Sequence, residues 1–369
     1  MWCRVVSLPP LALVALFASA APGSAAVLDP QPDYSEHNAE AAVHPNGGLL
    51  LVWTRSPHDV FEPEAMAATL DPDTGQLGEL HEWGAGSAHK VVPLGTGYLA
   101  LRVDDGFFAQ RLDQDGRPLG AALPLGPYQF LPADAHATPG GGAIVLTILR
   151  SEAVPDGAVL AWRFGPDGDL LSEPAPVVRG AVEAVLGMDG AGNFVLAWRN
   201  EGTAVRVRRF SPDFVPLSRA VAVTSDAATS VRVAVEPDGR FVVIYGKRGG
   251  LWARAFRADA SSDGKAFALV PNDRRGNLIF DVDAAVGAQG RILVAWFDYA
   301  PGVVPTIQAR ALSPAARPLT RSLRVAQARP FVNDLQHPRV ERLPEGDFLV
   351  LWTHSGAVGS LRFKRLSGR

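Results

Sequence analysis

Hydrophobic positions along this chain repeat one pattern seven times. In each copy a turn containing glycine precedes an apolar run that ends, in most copies, in a large residue. The runs are Gly48 to Trp53, Gly95 to Leu101, Gly142 to Thr147, Gly192 to Trp198, Gly239 to Tyr245, Gly290 to Trp296 and Gly346 to Trp352. Their spacing gives a period of about 50 residues, which is typical of radially or linearly repeated folds.

Each copy contains four segments with the pattern of β-strands, and the fourth copy shows them well. Residues 184–188 form the first predicted strand. Residues 194–198 form a second strand that is apolar throughout, as expected when both faces of its sheet are covered by other parts of the protein. Residues 205–210 alternate valine and arginine, as expected for a half-buried third strand. Residues 216–223 contain the fourth.

Seven four-stranded units predict an all-β fold, a single seven-bladed β-propeller with antiparallel blades. The last copy ends after its third strand, residues 361–366, while a short apolar segment at 27–29 precedes the first copy. We therefore expect this N-terminal segment to complete the last blade as its fourth strand and close the ring.

The first 26 residues have the pattern of a signal peptide. Arg4 precedes an apolar run over residues 5–20, and Ser24-Ala25-Ala26 places small residues before a predicted cleavage after Ala26. A membrane anchor is the alternative, but the run is shorter than the ~20 residues that span a bilayer. We expect a secreted protein, extracellular or periplasmic, with the propeller over residues 27–369.

Composition narrows the classes of partner. Hydrophobic residues make up 47% and charged residues 20% of the 369 residues, with a net charge of −3. This balance gives no global field for nucleic acid or an anionic membrane. Cys3 is the one cysteine, and it lies in the predicted signal peptide. We expect no disulfide, no cofactor and a monomeric protein.

Several residues admit both a functional and a structural interpretation. Tryptophans 53, 198, 296 and 352 share one repeat column and predict either sugar-stacking platforms or, as we favour, core packing. The turns at 71–75, 113–116 and 167–169 carry acids that would suit calcium or simply cap tight turns. His81 and His89, in one predicted loop, lack a recognised metal spacing, and a metal site built from several blades stays open.

Basic residues and histidines form the candidate binding site. Six of the seven second strands are followed within about three residues by a basic group or histidine, which predicts a cationic ring for an anionic ligand such as an acidic sugar. The alternative is a solvated rim of local ion pairs. With histidines from the predicted loops before the first strands, the candidates are Arg55, His58, Arg102, His136, Arg150, Arg199, Arg248, His337 and His354.

One repeat motif carries a family resemblance. Ala109-Gln110-Arg111-Leu112 with Pro118-Leu119-Gly120 is echoed at residues 161–164 and 310–319. The motif resembles a propeller repeat of large secreted bacterial proteins, and it implies a fold and a secreted setting rather than an activity.

Three functions remain open from the sequence. The first is a secreted, non-catalytic binding or scaffold protein with a protein or glycan ligand. The second is a glycan-acting hydrolase or lyase with two carboxylates at the channel mouth. The third is a module of a larger secreted assembly without a ligand of its own.

Overall fold

The computed structural model describes residues 26–28, 34–57, 62–127, 130–151, 154–200, 204–247, 250–271, 278–299, 303–328, 335–355 and 359–368. Apart from one short 3-10 turn at Ala288–Gly290, the regular elements of these residues are all β-strands. The predicted signal peptide lies outside them except for Ala26. Candidates His58 and Arg248 also lie outside them.

The strands of the first half follow the predicted rhythm of four per copy. In chain order they are β1 (Ala26–Leu28), β2 (Tyr34–Val43), β3 (Leu49–Pro57), β4 (Glu64–Thr69), β5 (His81–Ala85), β6 (Ser87–Leu94), β7 (Gly97–Val103), β8 (Gly106–Leu112), β9 (Leu123–Pro127), β10 (Phe130–Ala137), β11 (Ala143–Ser151), β12 (Val154–Phe164), β13 (Ala175–Arg179) and β14 (Glu183–Met188).

The second half repeats the same rhythm. Its strands are β15 (Phe194–Arg199), β16 (Val205–Phe210), β17 (Val221–Thr224), β18 (Ser230–Val235), β19 (Phe241–Lys247), β20 (Gly250–Phe256), β21 (Phe267–Val270), β22 (Leu278–Val286), β23 (Ile292–Tyr299), β24 (Thr306–Leu312), β25 (Leu323–Gln327), β26 (Leu335–Arg342), β27 (Phe348–Ser355) and β28 (Gly359–Leu366).

These strands form seven four-stranded antiparallel sheets in a ring, which confirms the predicted seven-bladed β-propeller. Blades 1 to 6 each take four consecutive strands, beginning with β2, β6, β10, β14, β18 and β22. The first strand of every blade lines one central channel.

Blade 7 is completed by the N-terminal strand, as the sequence predicts. It has the order β26, β27, β28, β1, and β1 pairs antiparallel with β28, where Ala26 faces Phe363 and Leu28 faces Leu361. The two ends of the chain thus share one sheet.

The core is divided into seven apolar clusters, each between two neighbouring blades. Each blade is a thin sheet that cannot bury both faces by itself, so contact with two neighbours keeps it dry. Trp53, Trp296 and Trp352 are at most 2% exposed and Trp198 is 4% exposed. The tryptophan column therefore packs the core, as we favoured, and offers no platform for sugar stacking.

The acidic turns satisfy their own backbone. Asp113 Oδ1 accepts hydrogen bonds from the backbone N–H groups of Asp115 (2.9 Å) and Arg117 (2.8 Å), and Asp71 accepts two in the same way. Among the described residues, no group of three or more Asp, Glu, His or Cys side chains could hold a metal ion. The turns therefore use these acids as caps.

The arginine of the repeat motif reaches the neighbouring blade. Arg163 of blade 3 pairs with Asp213 in a turn of blade 4, and Arg209 of blade 4 donates to the Ala258 carbonyl of blade 5. Arg365 of blade 7 pairs with Asp73 of blade 1. The motif thus joins consecutive blades at their turns, although exposed pairs of this kind stabilise by less than about 1 kcal/mol each.

Candidate functional site

Each of the seven first strands contributes one residue at the same height in the channel. The common feature is the register: in six blades the residue faces the position just before the one that ends the apolar run of the second strand, and in blade 2 it faces Leu101. We call this set the belt, and its members in blade order are Glu40, Lys90, Asp134, Val185, Arg232, Asp283 and Arg339.

The signs of the belt charges alternate around the ring. Negative and positive side chains follow one another through blades 1, 2 and 3, and again through blades 5, 6 and 7, where Arg339 returns to Glu40. A ring of seven charges cannot alternate throughout, because seven is odd. Val185 in blade 4 is the apolar position that allows the other six to alternate.

The belt joins blades by direct contacts. Lys90 Nζ lies 3.3 Å from Glu40 Oε2 and 3.7 Å from Asp134 Oδ1, and Arg339 Nε donates a hydrogen bond to Glu40 Oε1. Arg232 Nε lies 3.7 Å from Asp283 Oδ1. These pairs connect blades 3, 2, 1 and 7 in one run, and blades 5 and 6 in another.

The remaining interfaces are joined by backbone N–H groups and by Glu183. The backbone N–H of Leu186 donates to Asp134 Oδ2 and that of Val340 donates to Asp283 Oδ2, both at 2.9 Å. Glu183 Oε1 of blade 4 lies 3.1 Å from Arg232 Nη1. Belt contacts therefore cross all seven interfaces between neighbouring blades.

Bulges precede the belt in five blades. The first strands of blades 1, 2, 3, 6 and 7 each insert one extra residue just before the belt position. Asn38, Asp281 and His337 adopt left-handed φ angles of 55°, 44° and 51° there, which these three residue types tolerate better than most. A bulge re-aims the following side chain, and here it precedes the charge that enters the channel.

The belt charges hold one another ionised. Burial by itself raises the pKa of Glu40, but Arg339 and Lys90 outweigh burial and hold that pKa at about 2. Burial likewise lowers the pKa of Lys90 and of Arg339, but Glu40 and the other carboxylates around them together outweigh burial, so that both pKa values lie above their usual range. The Glu40 carboxylate is therefore charged at any physiological pH.

On one side of the belt lies a cavity of about 590 Å³, which we call the cup. It extends from the belt to the turns that join first and second strands. Small or apolar residues make up most of its wall, among them Val43, Gly187, Val235, Ala285 and Val286. The cup is thus a cavity with a mostly apolar wall and a charged inner end.

Asp189 and Glu341 are the acidic side chains of the cup wall that lie outside the belt. Asp189 Oδ2 lies 2.6 Å from Arg209 Nη2, whereas within the described residues the Glu341 carboxyl makes no hydrogen bond and no ion pair. Burial in the channel raises its pKa to about 8, and the carboxylates of Asp283, Glu40 and Asp134 add to this effect against the opposing charge of Lys90. Glu341 is therefore mostly protonated at neutral pH.

Two histidines also line the cup. His136 Nδ1 lies 2.8 Å from the Ala137 carbonyl, and confinement within the channel lowers the pKa of its ring. Burial lowers the pKa of His89 to about 4. Both rings are neutral at physiological pH, so they add hydrogen-bonding groups to the cup without adding charge.

The predicted candidates at the second-strand ends lie on the other side of the belt. Four of them, Arg55, Arg102, Arg199 and His354, pair with first-strand residues that precede the belt. Arg150 follows Leu149, which pairs with Phe130, also ahead of the belt. We call this region the upper half of the channel. Seven of the nine candidates lie within the described residues, and of these seven only His136 lines the cup.

Three of the upper-half arginines have partners within the chain. Arg55 Nη2 lies 2.7 Å from Glu64 Oε2, and Arg199 Nε donates to Glu183 Oε2 at 3.1 Å. Arg102 donates to the Ala85 carbonyl and lies over the Phe108 ring, with 4.5 Å between Cζ and the centroid. Whether these arginines also bind an anion stays a prediction.

The histidine candidates do not form one group. His337 Nδ1 lies 3.3 Å from Asp281 Oδ2, whereas His354 is buried in β27. Sequence analysis placed His136 and His337 in loops, but the structure places them within β10 and β26. The loop expectation was wrong, since a bulge lets each strand continue past an irregular residue. His81 and His89 likewise lie in two strands of different blades rather than in one loop.

Sequence reasoning missed the belt, although a signal was present. In six copies the belt residue stands thirteen positions before the residue that ends the second-strand run, and in five of those six it is charged. A charge inside a strand that lines a channel is unusual enough to mark the position. Glu341 has no such signal, because its distinctive feature is the lack of a partner.

Comparisons with known proteins show the fold. No protein-family model and no curated protein matches the chain. A protein of unknown function from Dyadobacter fermentans is similar over 93% of this chain and 97% of its own, at 13% identity and a TM-score of 0.53. The Cps50 (Swd1) β-propeller domain of Myceliophteria thermophila is similar over 92% and 98%, at 10% identity and a TM-score of 0.59.

The Dos1 propeller is a third similar structure, over 91% of this chain and 87% of its own, at 10% identity and a TM-score of 0.51. At such identities the likeness extends to the propeller fold alone. Within the described residues, no helix is long and apolar enough to cross a membrane.

Proposed function

We propose that this chain is a secreted, non-catalytic binding protein that holds its ligand in the cup. The observation that carries the proposal is the cavity of about 590 Å³, bounded at its inner end by paired charges. Ligand pockets commonly measure ~300 to 1,000 Å³ and combine an apolar wall with a few polar groups. The cup accommodates a small molecule or one terminal group of a protein or glycan.

The belt gives the cup a rigid inner end. Its charges are saturated by one another and by backbone N–H groups, so a ligand meets groups that are already fixed. Rigid polar groups reduce the entropy lost on binding, which favours affinity. The seven-bladed ring thus supplies a preorganised site.

The alternative, a glycan hydrolase or lyase, requires a protonated acid and a second carboxylate that is free to act on water or sugar. Glu341 has the raised pKa of a general acid and favours this alternative. The belt carboxylates of Glu40, Asp134 and Asp283 oppose it, because cations or backbone N–H groups occupy each of them. Binding without catalysis is therefore the better supported function.

Secretion is part of the proposal and rests on the sequence pattern of residues 1–26. N-terminal sequencing of the protein recovered from its own host would test it. We expect the recovered chain to begin near Val27 and to be found outside the cytoplasm. A cytoplasmic protein that retains Met1 or Trp2 would contradict secretion while leaving the binding site in place.

Filling the cup tests the binding function. Ala285→Phe and Val43→Phe each place a ring in the cavity, from blade 6 and from blade 1, whereas Ala121→Phe adds the same ring to an exposed site as a control. Saturation-transfer NMR would follow cyclohexylammonium, cyclohexanol, cyclohexanecarboxylate and imidazole. We expect at least one probe to bind the wild type and the control, and to be lost from both filled variants.

The melting temperature establishes that each filled variant is folded. Two results would overturn the proposal: no probe binds the wild type, or the filled variants bind as well as the control. Release of reducing sugar from a panel of acidic and neutral polysaccharides would support the hydrolase instead, provided that Glu341→Gln abolished it.

A further inference from the structure

Glu341 differs from every acid of the belt in what surrounds its carboxyl. It follows Arg339 by two positions on β26, and both line the channel, with Glu341 further into the cup. The belt acids each accept contacts from a cation or a backbone N–H, whereas the Glu341 carboxyl makes no such contact within the described part of the chain. Glu341 is half-buried. A carboxyl confined in a cavity without a partner is costly to ionise unless it meets a ligand.

The charge balance around the cup is negative once Glu341 ionises. The belt contributes three acids and three bases and is neutral as a whole. The two histidines of the cup are neutral at physiological pH. Of the other charged residues that line the cup, Asp189 pairs with Arg209 and Arg342 is exposed to solvent. Within the described residues, an ionised Glu341 therefore has no paired cation in the cup, and such a charge attracts one.

The charged and titratable groups around Glu341 explain the sign of its electrostatic field. The acids nearest to it outnumber the one base that acts on it. Burial is the largest cause of the raised pKa, and the three acids add to it. The part that these acids contribute also favours another monovalent cation beside the carboxyl. The groups that line this part of the channel are Asp283, Glu40 and Asp134 as acids, Lys90, Arg339, Arg232 and Arg342 as bases, and His89 and His136 as neutral rings.

We infer that the cup binds an ammonium group carried on an apolar body, and that Glu341 is the counter-ion of this ammonium. This inference rests on the proposed function and specifies its ligand class. The apolar body packs against partly exposed wall residues such as Val43, Val235 and Val286, and the ammonium reaches inward to Glu341. The belt behind Glu341 has no net charge, so it offers no counter-ion to a second charged group on the ligand.

Binding in this form must release a proton. The carboxyl gives up its proton to solvent when the ammonium arrives, and the ammonium N–H groups donate to the resulting carboxylate. With a pKa of about 8, roughly nine-tenths of the Glu341 side chains carry a proton at pH 7. We expect about 0.9 protons released per ammonium bound at pH 7, and an affinity that rises about tenfold from pH 7 to pH 9.

Titration calorimetry of the full chain would measure this release. The probes are cyclohexylammonium, its neutral analogue cyclohexanol and its anionic analogue cyclohexanecarboxylate, each in two buffers of different ionisation enthalpy. We expect the ammonium to bind at least tenfold more tightly than the alcohol at pH 9, and the carboxylate not to bind. Glu341→Gln should abolish the proton release and the pH dependence, and Glu173→Gln, on an exposed surface, should change neither.

Glu341→Gln resembles the protonated glutamic acid in shape and hydrogen bonding, so the variant should fold. Glu341→Asp is a second variant, in which weaker binding with proton release should persist. The inference fails if the alcohol binds as tightly as the ammonium, or if the release survives Glu341→Gln. In the first case, loss of both probes from Ala285→Phe would still support the proposed function. Retention of the probes by that variant would overturn both proposals.

Discussion

The two halves of the channel, separated by the belt, treat their charges in different ways. In the upper half Arg55 and Arg199 meet carboxylates of the same blade. In the cup, Glu341 has neither a hydrogen bond nor an ion pair within the described residues. Charges that are matched inside the chain stabilise the blades, and a charge left unmatched in a cavity requires something from outside. The matched charges of the upper half and the belt therefore have a structural role, and the proposed function places binding in the cup.

Removing a belt charge should have the largest effect. Glu40→Gln leaves Lys90 and Arg339 without their shared anion, although the side chain keeps its shape. Breaking a buried pair costs about 3 kcal/mol or more of the free energy of unfolding. Urea denaturation at pH 7 would measure the loss. Glu64→Gln, which frees Arg55 in the upper half, should cost less than about 1 kcal/mol. Equal losses would contradict the distinction between belt and rim.

A seventh charge in the belt should have the next largest effect. Val185→Glu places an anion between Asp134 and Arg232, in an apolar position that is 5% exposed, and Arg232 already contacts Glu183 and Asp283. We expect it to be less stable than Val185→Gln, of nearly the same volume, by about 2 kcal/mol at pH 8. At pH 4 the difference should shrink as the new carboxyl becomes protonated. If the two variants were equally stable at pH 8, the alternation of belt charges would have no energetic role.

The two glutamates of the channel should give opposite slopes of stability against pH. The folded-state pKa of Glu40 is about 2, so its contribution is present above the ordinary value of 4.5 and is lost as the pH falls towards 2. The folded-state pKa of Glu341 is about 8, so its contribution is present below 4.5 and is lost as the pH rises through 8.

In the wild type the Glu341 effect should lower the free energy of unfolding by at most about 1.4 kcal/mol per pH unit between pH 5 and pH 8. Urea denaturation across that range would show the slope in the wild type and its removal in Glu341→Gln. A slope that is unchanged in Glu341→Gln would mean that the carboxyl titrates normally and has no role in the cup.

Changes in the upper half should have the smallest effect. Arg102→Ala, Arg150→Ala and Arg199→Ala combined remove three members of the predicted cationic ring. Because Arg102 and Arg199 already have partners, we expect binding to dextran sulfate to change less than about twofold. A tenfold loss of binding relative to the wild type would show that the ring is a site and that the channel has two functional ends.

The sequence predicts the blades better than it predicts the site. Glycine turns, apolar second strands and the tryptophan column recur with a fixed period, so the seven blades and their closure could be inferred from local patterns. The belt is harder to find, because a bulge inserts one residue into some first strands and leaves blades 4 and 5 without it. In blade 2 the turn between the first two strands is also one residue shorter, so Lys90 stands twelve rather than thirteen positions before the equivalent residue, Arg102.

The cup depends on how residues of different blades are placed relative to one another, which the sequence of a single strand does not show. Glu341 follows Arg339 in sequence like any alternating residue, and its isolation becomes apparent only when seven first strands surround it. His136 was singled out from the sequence for a predicted loop, and it reaches the cup because β10 continues through the channel. The sequence pattern within one repeat determines the structure of a blade. The site is determined by residues that differ between repeats and that meet only in the folded channel.

The pairing of β1 with β28 orders events during synthesis. A ribosome makes β1 before β28, so β1 has no edge to join until Gly359–Leu366 has emerged. Every shorter product carries a gap between its first and last sectors and an unpaired strand at each side of it. A protease that cleaves unpaired strands would therefore distinguish complete molecules from truncated ones by whether β1 is paired with β28.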